Sequence, residues 1–161
     1  RDYKVTGVQT CALPISARVT QFSRFVAEDA ERIRETLTKT KTLADYITAT
    51  SALVQIGNEA ERDQARLNRL NVIASSFGRP DLHDALAVQQ HSHTETIAEA
   101  VRYGQTMGWI RKDIDARAVA VFVQGYNLAR VLLSLDTEPV DVAEWENVVR
   151  VALGSFFVTN Q

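Results

Sequence analysis

The stretch at positions 104–135 constrains the fold most strongly, because it combines a helix end, a short connector and a long apolar helix. Gly104 and Gly108 indicate where the first helix ends, since glycine accepts the left-handed conformation that a helix C-terminus often needs. Asp113 and Asp115 predict caps for the free amide groups of the next helix. Few charges follow Asp115, so this helix needs cover on more than one side. In a chain of 161 residues, we expect a second subunit to supply part of that cover.

A short motif lies in this connector. It consists of Gly108, Ile110, Arg111, Asp113 and Asp115, followed by Ala118, Val119 and a mid-helix Gly125. In these residues, and in its all-helical order from about Ala17 onward, the chain resembles the C-terminal domain of TetR-type (tetracycline-repressor-like) transcriptional regulators. The resemblance implies an all-α antiparallel helical bundle, whose last two helices pair with those of a second subunit in a four-helix dimer interface.

Composition favours one globular domain. Hydrophobic residues make up 45% of the chain and charged residues 24%, which excludes a disordered protein. No apolar run approaches the ~20 residues that a membrane helix needs, so we expect no membrane partner and a cytoplasmic location. The formal net charge of −2 argues against a broad basic surface for nucleic acid.

The first sixteen residues resemble a translated sequencing adapter. The codons of a common short-read library adapter encode Val5 to Ile15 without a mismatch, whereas a signal peptide would need an apolar core that this segment lacks. The alternative is an ordinary variable N-terminal arm. The only cysteine, Cys11, falls in this segment, so no internal disulfide can form.

We therefore assign residues 1–16 to the adapter and residues 17–161 to a ligand-sensing and dimerisation domain. TetR-type proteins carry a helix-turn-helix domain on the N-terminal side, and the 161 residues contain none. The resemblance implies that operator DNA is a partner only through that missing domain.

Hydrophobic spacing predicts four helices before the connector and two after it. The first four are expected at about 19–39, 43–56, 58–77 and 82–105. Asn58 with Glu61, and Asp81 with Asp84, have the spacing of helix caps.

The last helix shows the clearest apolar stripe. Asp141 and Glu144 predict its cap, and the helix before it contains Gly125, which permits close helix approach. These two helices are expected to form the homodimer interface. The residues assigned to it are Val121, Phe122, Gly125, Leu128, Leu132, Trp145, Val149, Ala152 and Phe156.

The fourth predicted helix places polar residues beside its apolar stripe, among them Gln89, Gln90 and His93. Such groups face a ligand, water in a cavity, or solvent at the edge of the stripe. The resemblance implies a cavity for an unknown small hydrophobic or amphipathic effector. Its expected lining is Tyr46, Thr50, Phe77, Gln90, His93, Ile97, Tyr103 and Trp109. Tyr46 and Trp109 have an alternative role as core aromatics.

No motif for catalysis or cofactor binding is present. His91 and His93 lie two apart, so on a helix they point to different faces and do not share a metal ion. We expect no enzyme activity, no cofactor and no metal site. The main alternative to a sensor is a stand-alone helical dimerisation module without a small-molecule ligand; an enzyme on a helical bundle is the third reading.

Overall fold

A computed structural model describes residues 15–57 and 62–158, and this part of the chain is helical, with no strand. Its helices are α1 (Ile15–Thr38), α2 (Leu43–Gly57), α3 (Asp63–Ser76), α4 (Pro80–Thr106), α5 (Ala116–Ala129) and α6 (Val142–Gly154), with a 3₁₀ segment (Arg130–Ser134) directly after α5. The predicted all-α class is confirmed. The adapter interpretation falls outside the described residues except at Ile15 and Ser16, where α1 begins, and the predicted cap at Asn58 and Glu61 also lies outside them.

Helix α4 lies at the centre of the molecule and packs against α1 and α5. Its buried residues Ile97, Ala98 and Val101 belong to the main hydrophobic cluster, which also takes side chains from α1, α2, α5 and the α4–α5 connector. A smaller cluster around the fully buried Leu82 joins α3 to the first turns of α4. Together the two clusters hold α3, α4 and α5 around a common space.

Helix α6 packs across α2 and α5. Val149 and Leu153 of α6 are buried in a cluster with Val54 of α2. Beyond α6 the chain runs beside the α4–α5 connector, where the Arg111 amide donates to the Phe156 carbonyl at 2.9 Å. A second backbone bond of 2.9 Å joins Val158 to Trp109. This pairing anchors the end of α6 to the start of the connector.

Aspartates cap the two C-terminal helices. The Asp115 carboxylate accepts from the Ala118 amide at 2.8 Å, and Asp141 caps α6, so both predicted caps are confirmed. The predicted cap at Asp113 is wrong: Asp115 holds the N-cap position, and the Asp113 carboxylate pairs with Arg111 at 2.6 Å.

The predicted cap of α4 at Asp81 is wrong. Arg79 holds the N-cap position without a side-chain bond, and Pro80 begins the helix. Proline is suited to the first helical position because its missing N–H would have no partner there, which places Asp81 inside the first turn.

Three glycines in and beside the connector have distinct roles. Gly108 adopts the left-handed conformation with φ 75°, as its position at a helix end predicts. The prediction that Gly104 also marks the helix end is wrong, because α4 continues to Thr106 and Gly104 has no positive φ. Glycine is required there for space: a Cβ would lie 2.8 Å from Ile110 Cδ1 and 3.1 Å from the Tyr46 ring. Gly125 makes no close approach to the described residues, among which a Cβ at that position would meet no atom within 4 Å.

Helix α5 is shorter than expected. The prediction extended it to Leu135, whereas the α-helical part ends at Ala129 and the chain tightens into the 3₁₀ segment. Tightening of this kind is frequent at helix ends, where the last carbonyls lack partners four residues on.

Candidate functional site

An open cleft of about 690 Å³ lies between α3, α4 and α5. Its volume is in the range of cavities that hold small organic molecules. Each of the three helices contributes both polar and apolar side chains to the lining. The cleft is therefore the candidate functional site of the described chain.

Four polar side chains form a continuous network on the wall of the cleft. The Arg69 guanidinium donates through Nη2 to Gln124 Oε1 at 2.9 Å and to Gln90 Oε1 at 3.3 Å. Gln90 Nε2 donates to Gln124 Oε1 at 2.7 Å and to Thr94 Oγ1 at 3.1 Å. Gln124 Nε2 completes the network by donating to Thr94 Oγ1 at 3.1 Å. Because each side chain is held by at least two others, the network fixes the positions of these polar groups on the wall of the cleft.

Burial gives Arg69 an unusual electrostatic environment. It lowers the pKa of the guanidinium from 12.5 to about 10, while the nearby Asp29 acts in the opposite direction. A group with this pKa remains protonated at neutral pH, so the inner wall carries a positive charge.

A second arginine stands at the outer edge of the cleft. Arg117 forms an ion pair with Glu95, with Nε 2.9 Å from the carboxylate, and its Nη2 lies 3.4 Å from His91 Nδ1. Glu95 itself is not part of the lining, and the described lining contains no acidic residue. The surface facing into the cleft is therefore cationic and apolar.

The rest of the lining is mainly apolar. Ile73 of α3, Phe77 directly after α3 and Leu86 of α4 line the cleft, and so do Val121 and Leu128 of α5. Phe77 leaves 80% of its surface exposed, and its ring makes an edge contact with His83 at a centroid distance of 6.4 Å. The cleft thus joins a polar wall to an apolar end.

Two of the eight predicted ligand-site residues, Phe77 and Gln90, line this cleft. His93 is buried on α4 outside the lining, whereas His91 is exposed and lines the edge. The two histidines therefore lie in different environments, as their spacing predicts.

The other five predicted ligand-site residues lie elsewhere. Tyr46 and Ile97 are buried in the main cluster, and Trp109 and Tyr103 pack against it. Tyr46 donates its hydroxyl to the Ala100 carbonyl at 2.9 Å, and its ring centroid lies 5.4 Å from that of Trp109. Thr50 is half-buried and bonds to the Tyr46 carbonyl. This placement matches the core-aromatic alternative for Tyr46, and ligand binding by the predicted set stays a prediction.

Sequence reasoning did not single out Arg69, Thr94 or Gln124. Gln124 carried a signal, since it is a polar residue within a mostly apolar helix stretch. Gln90 and Thr94 also have the four-residue spacing that puts side chains on one helix face. Arg69 gave no such signal, because an arginine on a mixed helix is ordinarily a solvated residue.

The predicted dimerisation residues divide by exposure. Val121, Phe122, Gly125 and Leu132 are exposed, whereas Val149 is buried within the subunit at 4% exposure. The half-buried members are Leu128, Trp145, Ala152 and Phe156. Two further valines of α6, Val148 and Val151, are 61% and 68% exposed. Both helices thus present apolar side chains to solvent in the single chain.

Phe156 and Val149 already have partners in the subunit. The Phe156 ring makes an edge contact with Phe122 at a centroid distance of 5.5 Å. Val149 packs with Leu153 and Val54. These contacts hold α6 against α5 and α2, so a part of the predicted interface stabilises the subunit itself.

Residues 15–57 and 62–158 contain neither a cluster of metal ligands nor a helix that could span a membrane. No group of three or more His, Cys, Asp or Glu side chains there is placed to hold a metal ion. Nor is any helix in that part of the chain both long and apolar enough to cross a membrane.

Comparison with known proteins gives no relative. No protein-family model matches the chain, and neither a curated protein nor a solved structure matches it.

Proposed function

We propose that this chain is the ligand-sensing and homodimerisation domain of a TetR-type transcriptional regulator, and that the cleft between α3, α4 and α5 binds its small-molecule effector. The observation that carries the proposal is the hydrogen-bonded polar network inside an otherwise apolar cleft of about 690 Å³. Polar groups in an apolar site normally fix the orientation of a ligand, which makes this arrangement suited to a sensor.

The packing offers a route from the cleft to a DNA-binding domain. Gln90 and Thr94 lie on α4, and α4 packs along α1, which by resemblance would lead to the helix-turn-helix domain. An effector changes DNA affinity only as far as it binds one arrangement of α1 and α4 better than another. Such a regulator would act in the cytoplasm, where its operator DNA is found.

The exposed apolar residues of α5, the 3₁₀ segment and α6 support homodimerisation. Phe122, Leu132, Val148 and Val151 are each at least 42% exposed in the single chain. Exposed apolar side chains in such number on neighbouring helices favour a protein partner, and a second copy of the chain would bury both sets symmetrically.

The same exposed residues also fit the second candidate, a stand-alone dimerisation module that binds no effector. The two functions differ at the cleft. In the sensor the cleft binds an effector, whereas in the dimerisation module the cleft is a surface groove that binds no ligand.

Ligand binding separates these candidates. We expect at least one amphiphile in a panel of decanoate, decanol and decylamine to raise the melting temperature of the 161-residue chain, because a ligand that binds only the folded state stabilises it. Ala87 is exposed and lines the cleft, so Ala87→Trp should abolish the shift by filling the space.

The matched control is Ala44→Trp, which places the same side chain on an exposed position of α2 outside the lining. It should keep the full shift. If no member of the panel changes the melting temperature, the sensor proposal fails and the dimerisation module replaces it.

The regulator assignment has a separate test. Sequencing the parent DNA upstream of the Ala17 codon should reveal in-frame residues with a helix-turn-helix pattern. A different upstream domain would remove DNA binding from the proposal.

A further inference from the structure

We infer that a phosphate group binds between Arg66 and Arg130, at a second site outside the cleft, and that it takes the position which the Asp63 carboxylate holds between these two arginines. Arg66 lies in the first turn of α3, and Arg130 begins the 3₁₀ segment after α5. Neither residue lines the cleft. The inference is therefore independent of the proposed effector site.

Both arginines are buried and hold donors without an acceptor. Only 6% of the Arg66 side chain and 10% of the Arg130 side chain are exposed. Arg66 donates through Nε to Asn127 Oδ1 at 3.0 Å and through Nη1 to Asp63 Oδ1 at 2.5 Å. Its Nη2 and Nη1 of Arg130 are buried without a hydrogen-bond partner in the described part of the chain. Unpaired donors of buried charged groups are costly, so they indicate a site for a further acceptor.

Asp63 cannot satisfy both guanidinium groups. Among the described residues it is the only acid that pairs with either of them. Its Oδ1 lies 3.8 Å from Arg130 Nε, which is too long for a hydrogen bond. Asp63 and Arg66 lie three apart on one helix, so the backbone limits how far the carboxylate reaches towards Arg130. A phosphate group has more acceptor oxygens and no such tether, and it can therefore accept from both guanidinium groups.

The charges of the three side chains favour a dianion. With Asp63 in place, two guanidinium groups share one carboxylate, and one positive charge is left over. If Asp63 turns away, the two arginines match the charge of about −2 on a phosphate group at neutral pH. Burial is the main cause that lowers the pKa of Arg66, and the like charge of Arg130 adds to it, whereas Asp63 opposes it. A second negative charge would relieve this repulsion.

Asp63 also provides the route of entry. Its side chain is 52% exposed, so the carboxylate can turn into solvent without disturbing the hydrophobic core. This movement would open a path to the buried donors of Arg66 and Arg130. An anion between them would lie beside the start of α3, where the free amide groups of a helix favour negative charge.

Nuclear magnetic resonance titration of the nitrogen-15-labelled 161-residue chain at pH 7.5 tests the site. Sodium chloride replaces sodium phosphate stepwise, so that the ionic strength stays constant. We expect saturable shifts of the Arg66 Nε–H and Asn127 side-chain amide signals. Sodium acetate, a carboxylate like Asp63, should bind at least about threefold more weakly than phosphate.

Glycerol 3-phosphate distinguishes the two sources of a phosphate group. A free phosphate ion and a phosphate ester offer the same oxygens to Arg66 and Arg130, but only the ester carries an organic group. We expect the free ion to bind more tightly, because the site is buried. Tighter binding of the ester would overturn the free ion as the occupant and assign the site to a phosphorylated molecule.

Variants with opposite expected effects locate the site. Asp63→Asn removes the competing carboxylate and should tighten phosphate binding about threefold or more, whereas Arg130→Met should weaken it about tenfold. Matched controls are Asp113→Asn and Arg111→Met, because Asp113 and Arg111 form an exposed ion pair in the connector. Each control makes the same change in net charge and should leave the dissociation constant for phosphate within about twofold.

The contrary results are distinct. Absence of saturable shifts with phosphate overturns the site. Equal effects of Asp63→Asn and Asp113→Asn overturn the displacement of Asp63, and unchanged binding in Arg130→Met overturns the position of the phosphate group. If Arg130→Met does not fold, the two aspartate variants still decide. None of these results bears on ligand binding in the cleft, which is measured with the amphiphile panel.

Discussion

At the scale of single residues, close packing around Gly104 joins α4 to the connector that follows it. The position of a Cβ at Gly104 falls among buried side-chain atoms of Ile110 and Tyr46. By contrast, Gly125 lies in a helix of the same chain with free space around it. The two helical glycines are therefore under different physical constraints, because packing space is limiting at Gly104 and not at Gly125. An alanine at either position would cause no backbone strain.

We predict that Gly104→Ala lowers the free energy of unfolding by about 1–3 kcal/mol, because an added methyl group overpacks the core. Gly125→Ala should raise the stability of the subunit by about 0.5–1 kcal/mol, since alanine favours the helix. Urea denaturation monitored by circular dichroism measures both. Equal effects of the two substitutions would contradict the packing at Gly104.

Two tyrosines with raised pKa values make the protein less stable at alkaline pH. Burial raises the pKa of Tyr126 from 10.0 to about 12, and it raises the pKa of Tyr46 as well. The folded state retains these protons at a pH where the unfolded state releases them, so stability is lost as pH rises above 10. The lowered pKa of Arg69 acts in the opposite direction over the same range.

We expect Tyr126→Phe to isolate one part of this effect. The stability of the variant relative to the unaltered chain should rise between pH 9 and pH 11, because phenylalanine has no proton to lose. Denaturation midpoints at several pH values measure the difference. A difference that stays constant across this range would show that Tyr126 does not contribute.

At the scale of helices, capping explains why some boundaries were predictable and others were not. Asp141 and Asp115 are local signals: each precedes its helix and bonds to amides within three residues. The start of α4 depends on Pro80, whose ring geometry competes with a cap at Asp81. The end of α5 carries no strong local signal, so its change to a 3₁₀ segment was not predictable from spacing.

We predict that Asp141→Ala costs about 1 kcal/mol of stability, because the Ala143 and Glu144 amides lose their acceptor. Asp81→Ala is the matched control. Its carboxylate lies in a first helical turn but caps nothing, so the loss should be less than half as large. Urea denaturation of both variants measures their losses of stability. Similar losses would show that the Asp141 carboxylate stabilises the start of α6 no more than Asp81 stabilises the start of α4.

At the scale of the whole molecule, the helical order and the central core followed from hydrophobic spacing, whereas the cleft did not. A spacing pattern reports which residues are apolar along one helix. The network of Arg69, Gln90 and Gln124 depends on how three helices meet, and this is a property of tertiary packing. The same reason explains Tyr46, which spacing could not assign to core or cavity.

The proposed homodimer leads to a prediction at this scale. Val148→Glu and Val151→Glu should each weaken the dimer at least tenfold, since a charge would be buried without a partner. Size-exclusion chromatography with light scattering measures the change. Val149 is unsuitable for this test because a charge there would disturb the subunit core.

Val88→Glu serves as the control, because Val88 is 66% exposed but lies on α4. It should leave the molecular mass unchanged. If the unaltered chain is a monomer at all concentrations, it has no dimer interface. If dimers persist in both α6 variants, the interface lies elsewhere.

The backbone pairing of residues 109–111 with residues 156–158 makes a closed loop of the last third of the described chain. Helix α5 begins a few residues after this junction and α6 ends just before it, so the junction ties together the two ends of the segment that contains both helices. The region therefore has the character of a single cooperative folding unit, in which opening at Val158 frees the start of the connector too. In native-state hydrogen exchange, the amides of Arg111 and Val158 would share one opening event despite their distance along the chain.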